Sequence, residues 1–170
     1  MSIIRAQAAA QKALELAWDK KFPVDPAAIA SRLRMKAANG DEHHPIQLIP
    51  ASREALQGAS GSAEFDEKTG FVCKFNESEY PARARFTQAH ELGHVLLQHV
   101  DESTRMLRDD RFENSNPQET EANAFAAELL MPSKYMPALL RQASSVSSLA
   151  DTLGVSITAL SYRLRNLGLL

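Results

Sequence analysis

The sequence predicts an α+β fold: a small, mostly antiparallel sheet packed against helices, followed by a C-terminal helical pair. Three observations carry this prediction. Two stretches with helical character, 81–99 and 116–131, hold a His-Glu-x-x-His motif and a cluster of glutamates. Short runs with strand character lie between residues 46 and 75, two of them joined by a tight polar connection. From Val146 a helical pattern runs to a glycine at a turn and then resumes. With 170 residues, 44% of them hydrophobic, the chain has the length for one proper core. Residues 1–170 are therefore expected to form a single domain. Its core would span 1–140, and a helix-turn-helix-like pair over 144–170 would pack on it.

Taken in order, a first helix is predicted from about Ile4 to Lys20, and a shorter one after Asp25-Pro26, near Ala27 to Arg34. Ile46 to Pro50, Gly61 to Asp66 and Gly70 to Phe75 read as strands. The last two flank Glu67-Lys68-Thr69 with Gly70 behind it, which is hairpin chemistry. Gly58-Ala59-Ser60-Gly61-Ser62 resembles a phosphate loop only in its glycines, since no Lys-Ser/Thr follows; it is a turn. His43 and His44 fall in a polar stretch and are expected to be solvated. The charged run Asp101 to Ser115, with Arg105, Arg108, Asp109, Asp110, Arg111 and Glu113, reads as a solvated loop, or as a lid over a cleft.

The chemistry is concentrated in His90-Glu91-Leu92-Gly93-His94. On a helix the two histidines lie one turn apart on one face and can chelate one metal. A bound zinc lowers the pKa of water from about 15.7 to about 7, and Glu91 is placed to take that proton. Helix formers surround the motif from Pro81, a suitable first-turn residue. Ala89, Leu92, Gly93 and Leu96 form one apolar stripe, and Phe86, His90, His94 and Leu97 the neighbouring one. Two histidines on a buried face need partners, and one metal satisfies both.

A catalytic zinc takes three protein ligands and leaves a fourth position open. His99 is a poor third ligand. The longer zinc motif requires Gly seven and His ten residues after the first histidine, and Leu97 and Val100 stand there. His99 is expected to be an exposed helix-end residue or a polar neighbour of the cleft. The better donor lies in the second helix, opened by Asn116-Pro117 and stopped before Pro132. Glu119 shares a face with Asn123, so one could bind metal while the other orients a histidine. Glu119 also occupies the third helical position after Asn116, where a capping carboxylate sits. Glu121, on the face of Phe125 and Glu128, remains a competitor.

Arg85-Phe-Thr-Gln-Ala-His-Glu-Leu-Gly-His-Val-Leu-Leu97 and Glu119-Thr-Glu-Ala-Asn-Ala-Phe-Ala-Ala-Glu-Leu-Leu-Met-Pro132 resemble the ImmA/IrrE family of bacterial metallopeptidases. Phe22-Pro-Val-Asp-Pro-Ala-Ala-Ile-Ala30 also resembles that family's N-terminal segment, so the likeness runs from about Phe22 to Pro132. The resemblance implies one zinc ion per chain held by His90, His94 and Glu119, with Glu91 as general base. A glutamate followed four residues later by asparagine matches Glu119 and Asn123, and implies Asn123 as the outer partner of a histidine. It also implies a zinc endopeptidase that cuts a helix-turn-helix transcriptional repressor, relieving repression in a stress or mobile-element response. Residues 95–118, between the motifs, are where the resemblance says least.

Composition narrows the setting. One cysteine, Cys73, excludes an internal disulfide, suits a reducing, cytoplasmic compartment, and is expected to be a small buried residue. No segment approaches the roughly 20 apolar residues of a membrane span, and the polar N-terminus does not read as a signal peptide. Net charge is −2, so nothing global recruits nucleic acid. In the C-terminal pair, Ala150, Gly154 and Leu160 fall where a helix-turn-helix needs a small residue, a turn and a core residue, with Ser156 capping the second helix. Thr158, Ser161, Tyr162 and Arg165 offer little to phosphates, so packing is expected rather than DNA binding. The rival function is a non-proteolytic zinc-binding regulator that binds a repressor or DNA; an intact Glu91 argues against it. A protease would add its substrate to a sheet edge, expected here at the hairpin from Gly61 to Phe75. Tyr80, Tyr135 and His99 are candidate donors to the reacting oxygen.

Overall fold

A computed structural model describes residues 2–37, 40–101, 103–104, 106–109 and 116–170. Seven helices and five strands are seen among these residues, in the α+β arrangement that the sequence predicts. The sheet has the order β1-β2-β4-β3-β5, formed by Arg34–Lys36, His43–Ala51, Gly70–Asn76, Gly61–Asp66 and Met106–Asp109 respectively. All pairings are antiparallel except β2 with β4, which run parallel with Ile46 opposite Phe71 and Ala51 opposite Asn76.

Helix α1 (Ser2–Ala17) buries Ala6, Ala10, Ala13, Leu14 and Ala17, a stripe at helical spacing made almost entirely of alanine. Such small side chains let α1 approach α4 (Pro117–Leu130) closely, and these helices pack together along their length. Helix α2 (Pro26–Ser31) is capped by Asp25, whose Oδ1 accepts from the N–H groups of Ala27 and Ala28. It ends before Arg34, which belongs to strand β1 and not to the helix expected there.

Helix α3 (Pro81–Leu96) lies between the sheet and α4, touching β3 and β4 on one side and α4 on the other. Both contacts depend on glycine. A Cβ on Gly93 would stand 2.9 Å from Cδ1 of Phe125 on α4, and one on Gly61 at the start of β3 would stand 2.6 Å from Thr87 Cγ2 and 2.7 Å from Glu91 Oε2. The sequence thereby brings α3 against its neighbours at the turn that carries Glu91 and His94.

Helices α5 (Met136–Gln142), α6 (Val146–Leu153) and α7 (Ile157–Asn166) complete the chain. Gly154, at φ +67°, turns α6 into α7, and Ser156 caps α7 by accepting from Ala159 N–H. Leu149, Ala150, Leu153, Leu160 and Leu164 join the core of the rest of the protein. Arg163 reaches inward from α7, donating from Nη2 to Glu128 Oε1 at 2.6 Å and from Nε to the Met131 carbonyl at 3.0 Å.

Three expectations change. The hairpin β3–β4 forms, but it is not an edge: β2 covers β4 and β5 covers β3. Part of the stretch expected as a solvated loop is β5, since Met106–Asp109 satisfy backbone groups that β3 would otherwise leave open. Of the charged residues named in that stretch, Arg105, Asp110, Arg111 and Glu113 lie outside the described residues, and with them the lid. His44 is half-buried, its ring edge-on to Phe65 at 5.0 Å, because β2 turns it toward the aromatic pair at the hairpin end. His43 is exposed as expected.

Candidate metal centre

The last turns of α3 are almost wholly out of water: His90, Glu91 and His94 are fully buried. Burying two imidazoles and a carboxylate is costly unless each finds a partner. The partner comes from the first turn of α4. Asn116 caps that helix, its Oδ1 accepting from Glu119 N–H at 2.9 Å, which places Glu119 at the third helical position facing α3. The Glu119 carboxylate lies at the histidines, with Oε1 3.2 Å from His90 Nε2 and Oε2 2.9 Å from His94 Nε2.

The two Nε2 atoms are 3.2 Å apart, and one ligand atom from each of His90, His94 and Glu119 lies within 4.8 Å of the others. Two imidazole nitrogens and a carboxylate converging on one point bring lone pairs together, an arrangement that a cation relieves. This donor set fits a metal ion. The remaining ring nitrogens face outward. His90 Nδ1 is 2.8 Å from Asn123 Oδ1, one turn beyond Glu119, and His94 Nδ1 is 2.8 Å from His99 Nδ1.

Of the two expectations for His99, an exposed helix end fails, since it is buried, while a polar neighbour of the site agrees with its place against His94. Its Nε2 donates to Glu121 Oε1 at 2.7 Å. Burial lowers its pKa below the ordinary histidine value, against the opposing pull of the Glu121 hydrogen bond. Glu121 thus faces His99, and Glu119, not Glu121, reaches the histidine pair. Spacing alone does not place His99, because its position depends on how the chain turns after α3.

The other candidate donors lie elsewhere. Tyr80 precedes α3 and is 83% exposed, ten residues and so about 15 Å of helix away from His90. The Tyr135 hydroxyl accepts from Lys20 Nζ, in a cluster with Trp18 and Phe22. Cys73 is fully buried on β4, and burial, with the charge of Glu91 and Glu64 adding to it, pushes its thiol well above the usual range. It is a core residue. A surface groove of about 510 Å³ opens beside Thr120 and Asn123, between α4 and α7.

Comparison with known proteins agrees with this geometry. The model of the IrrE N-terminal-like domain, Peptidase_M78, matches residues 46–165. A Mycobacterium tuberculosis transcriptional regulator of solved structure superposes with a TM-score of 0.54 at 15% identity, covering 96% of this chain and 46% of that one. At that identity the likeness is one of fold, and the chain spans just under half the regulator's length. No curated protein matches the sequence. No helix among the described residues is long and apolar enough to cross a membrane. The family match covers most of the chain and contains both the His-Glu-x-x-His helix and the glutamate that faces it, so the chain belongs to the IrrE N-terminal-like domain family of peptidases.

Proposed function

We propose that this chain is a zinc-dependent endopeptidase of the cytoplasm, and that its substrate is a helix-turn-helix transcriptional repressor. The observation that carries the metal reading is the convergence of His90 Nε2, His94 Nε2 and the Glu119 carboxylate in a buried space. Those three residues would hold the ion, which when bound supplies Lewis acidity that polarises a carbonyl and acidifies water. The substrate class rests on the family alone.

The chain's own residues then divide the work. Glu91 lies between the two histidines in sequence, with its carboxylate against the start of β3 at Gly61. From there it takes the proton of the attacking water and passes it to the leaving amine nitrogen. His90 is oriented by Asn123, whose Oδ1 accepts the Nδ1 proton and keeps Nε2 available. An extended substrate needs a sheet edge, and β5 is the edge on the side of β3, nearer to Glu91 than β1 is.

Zinc per chain, measured on the wild type and on His90→Ala, Glu119→Ala and Glu91→Gln, tests the proposal together with cleavage of repressors encoded near the gene. Stoichiometric zinc should be lost in the first two variants and kept in Glu91→Gln, which should lose at least about a hundredfold in rate, the usual worth of a general base. A wild type that takes up no zinc would overturn the enzyme reading. Biological function that survives Glu91→Gln would support the non-proteolytic regulator instead.

A further inference from the structure

We propose that strand β5 is an internal stand-in for substrate: it occupies the edge of β3 along which a peptide would be cut, and it must leave before one can bind. This rests on the peptidase reading above and deepens it, by stating how access to that site is controlled.

The site as it stands is closed. His90, Glu91 and His94 expose none of their surface, and Glu119 only 8% of its own. A polypeptide cannot bring a carbonyl within the roughly 3–3.5 Å that reaction requires until something moves. The register of the sheet indicates what. Gly61, at the start of β3, stands against the base, where a Cβ would lie 2.7 Å from Glu91 Oε2. Asp109 of β5 is the residue opposite Gly61, and Met106 at the other end is opposite Glu64. A chain in the place of β5 therefore passes Glu91 at one strand spacing from β3, about 4.8 Å. A chain added outside β5 would lie about 4.8 Å farther out, beyond reach of the carboxylate. The useful edge is that of β3, and β5 fills it.

Strand β5 is also built to come away. Among the described elements it packs substantially against β3 alone, whereas β2, β4 and β3 each have a strand on either side. Its ladder is only four residues long. A short strand held on one side opens locally at far less cost than the core. Both of its ends stay anchored. Before it, Asp101 Oδ1 accepts from the N–H groups of Ser103 and Thr104 at 2.8 Å, and after it Asn116 caps α4. So tethered, β5 competes with any incoming peptide at an effective concentration on the order of millimolar. Strand pairing runs through the main chain, so any extended peptide can contend for β3. Only one that gains further contacts elsewhere on the protein wins. The strap thus keeps the site shut to chance unfolded chains and admits a docked partner.

Hydrogen exchange, followed residue by residue by NMR on the full chain with and without added zinc, tests whether β5 detaches. Amides that bridge β5 and β3 should exchange at least about 100-fold faster than those that bridge β3 and β4, because a local opening frees them. Equal rates would overturn the proposal without any variant. Leu107→Pro together with Arg108→Pro tests the inhibition. Adjacent residues of a strand point their N–H groups to opposite sides, so one of the two prolines removes a bond from the ladder. With zinc bound as tightly as in the wild type, this variant should cut casein, used as an unstructured probe, at least about tenfold faster once the tethered competitor is gone. A folded variant that cuts no faster than wild type would overturn the inhibitory role. If zinc-loaded wild type and variant both leave casein and the neighbouring repressors intact, the peptidase reading falls and the inhibition with it, while fast exchange of β5 would still stand.

Discussion

Arg163 and Glu128 face one another at 2.6 Å with their side chains only 5% and 3% exposed, and Ser133 donates to the second Glu128 oxygen from both its N–H and its hydroxyl. The pair joins α7 to the helix that carries Glu119. A buried ion pair contributes little net stability, but removing one partner strands the other. Arg163→Met should therefore cost about 3–5 kcal/mol in urea unfolding, while Arg163→Met with Glu128→Leu should recover most of it. Equal loss in the single and double variants would show that the pair is not what docks α7.

The crossing of α3 and α4 gives a second expectation. Gly93→Ala places a methyl group 2.9–3.1 Å from Phe125 Cδ1, Cβ and Cγ. Overpacking of this kind costs about 1–3 kcal/mol, and it should push Glu119 away from the histidines. Denaturation midpoint and zinc affinity should fall together, and Phe125→Leu in the same chain should restore part of both.

Gln98 holds a conformation that costs a side-chain-bearing residue about 1–2 kcal/mol and glycine almost nothing. Glycine also loosens the unfolded chain by about 0.4–1 kcal/mol. Gln98→Gly should then raise stability by roughly 0.5–1 kcal/mol. Gln98→Val should lower it, since a β-branched side chain fits that conformation poorly. Thermal melting of the two variants checks the sign.

The Cys73 thiol is buried and its pKa raised, so the folded protein keeps it neutral where an unfolded chain would ionise it. Its contribution to stability is full below the unfolded value near 9 and is lost as pH rises toward the folded one. A disulfide reagent at pH 8 should label Cys73 only at the rate of unfolding; fast labelling of native protein would contradict its place in the core.

Metal removal should be visible as stability. A ligand that binds only the folded state adds about 4 kcal/mol at a thousand times its dissociation constant. Zinc should raise the melting temperature of the stripped wild type and leave that of His90→Ala unchanged.

Much of the fold was legible because it is local. The capping of α2 by Asp25, the hairpin around Glu67-Lys68-Thr69 and the α6–α7 turn at Gly154 each follow from a few adjacent residues. So does the placement of His90, Glu91 and His94 on one helix, where period and motif agree. What escaped was set by distant partners. Strand β5 exists because β3 offers it an edge, and the parallel seating of β2 on β4 has no signature in either strand. Spacing left Glu119 and Glu121 as rivals; the crossing of α3 and α4 separates them. Spacing left His99 between an exposed helix end and a neighbour of the site, because residue 98, a glutamine, adopts a conformation usually marked by glycine.

The seating of β4 between β2 and β3 also bears on the order of events when the chain folds. The hairpin joins neighbours, with Asp66 opposite Gly70, whereas β2 must find β4 across 25 residues, from Ile46 to Phe71, and α1 must find Glu121 across 116. Distant pairings of this sort come late, after loop closure has been overcome. The two donor-bearing helices must likewise meet across 25 residues, from His94 to Glu119, so the site is expected to close late as well. An ion captured then slows escape from the native state more than it speeds arrival: zinc should act on the unfolding rate and leave the folding rate almost untouched.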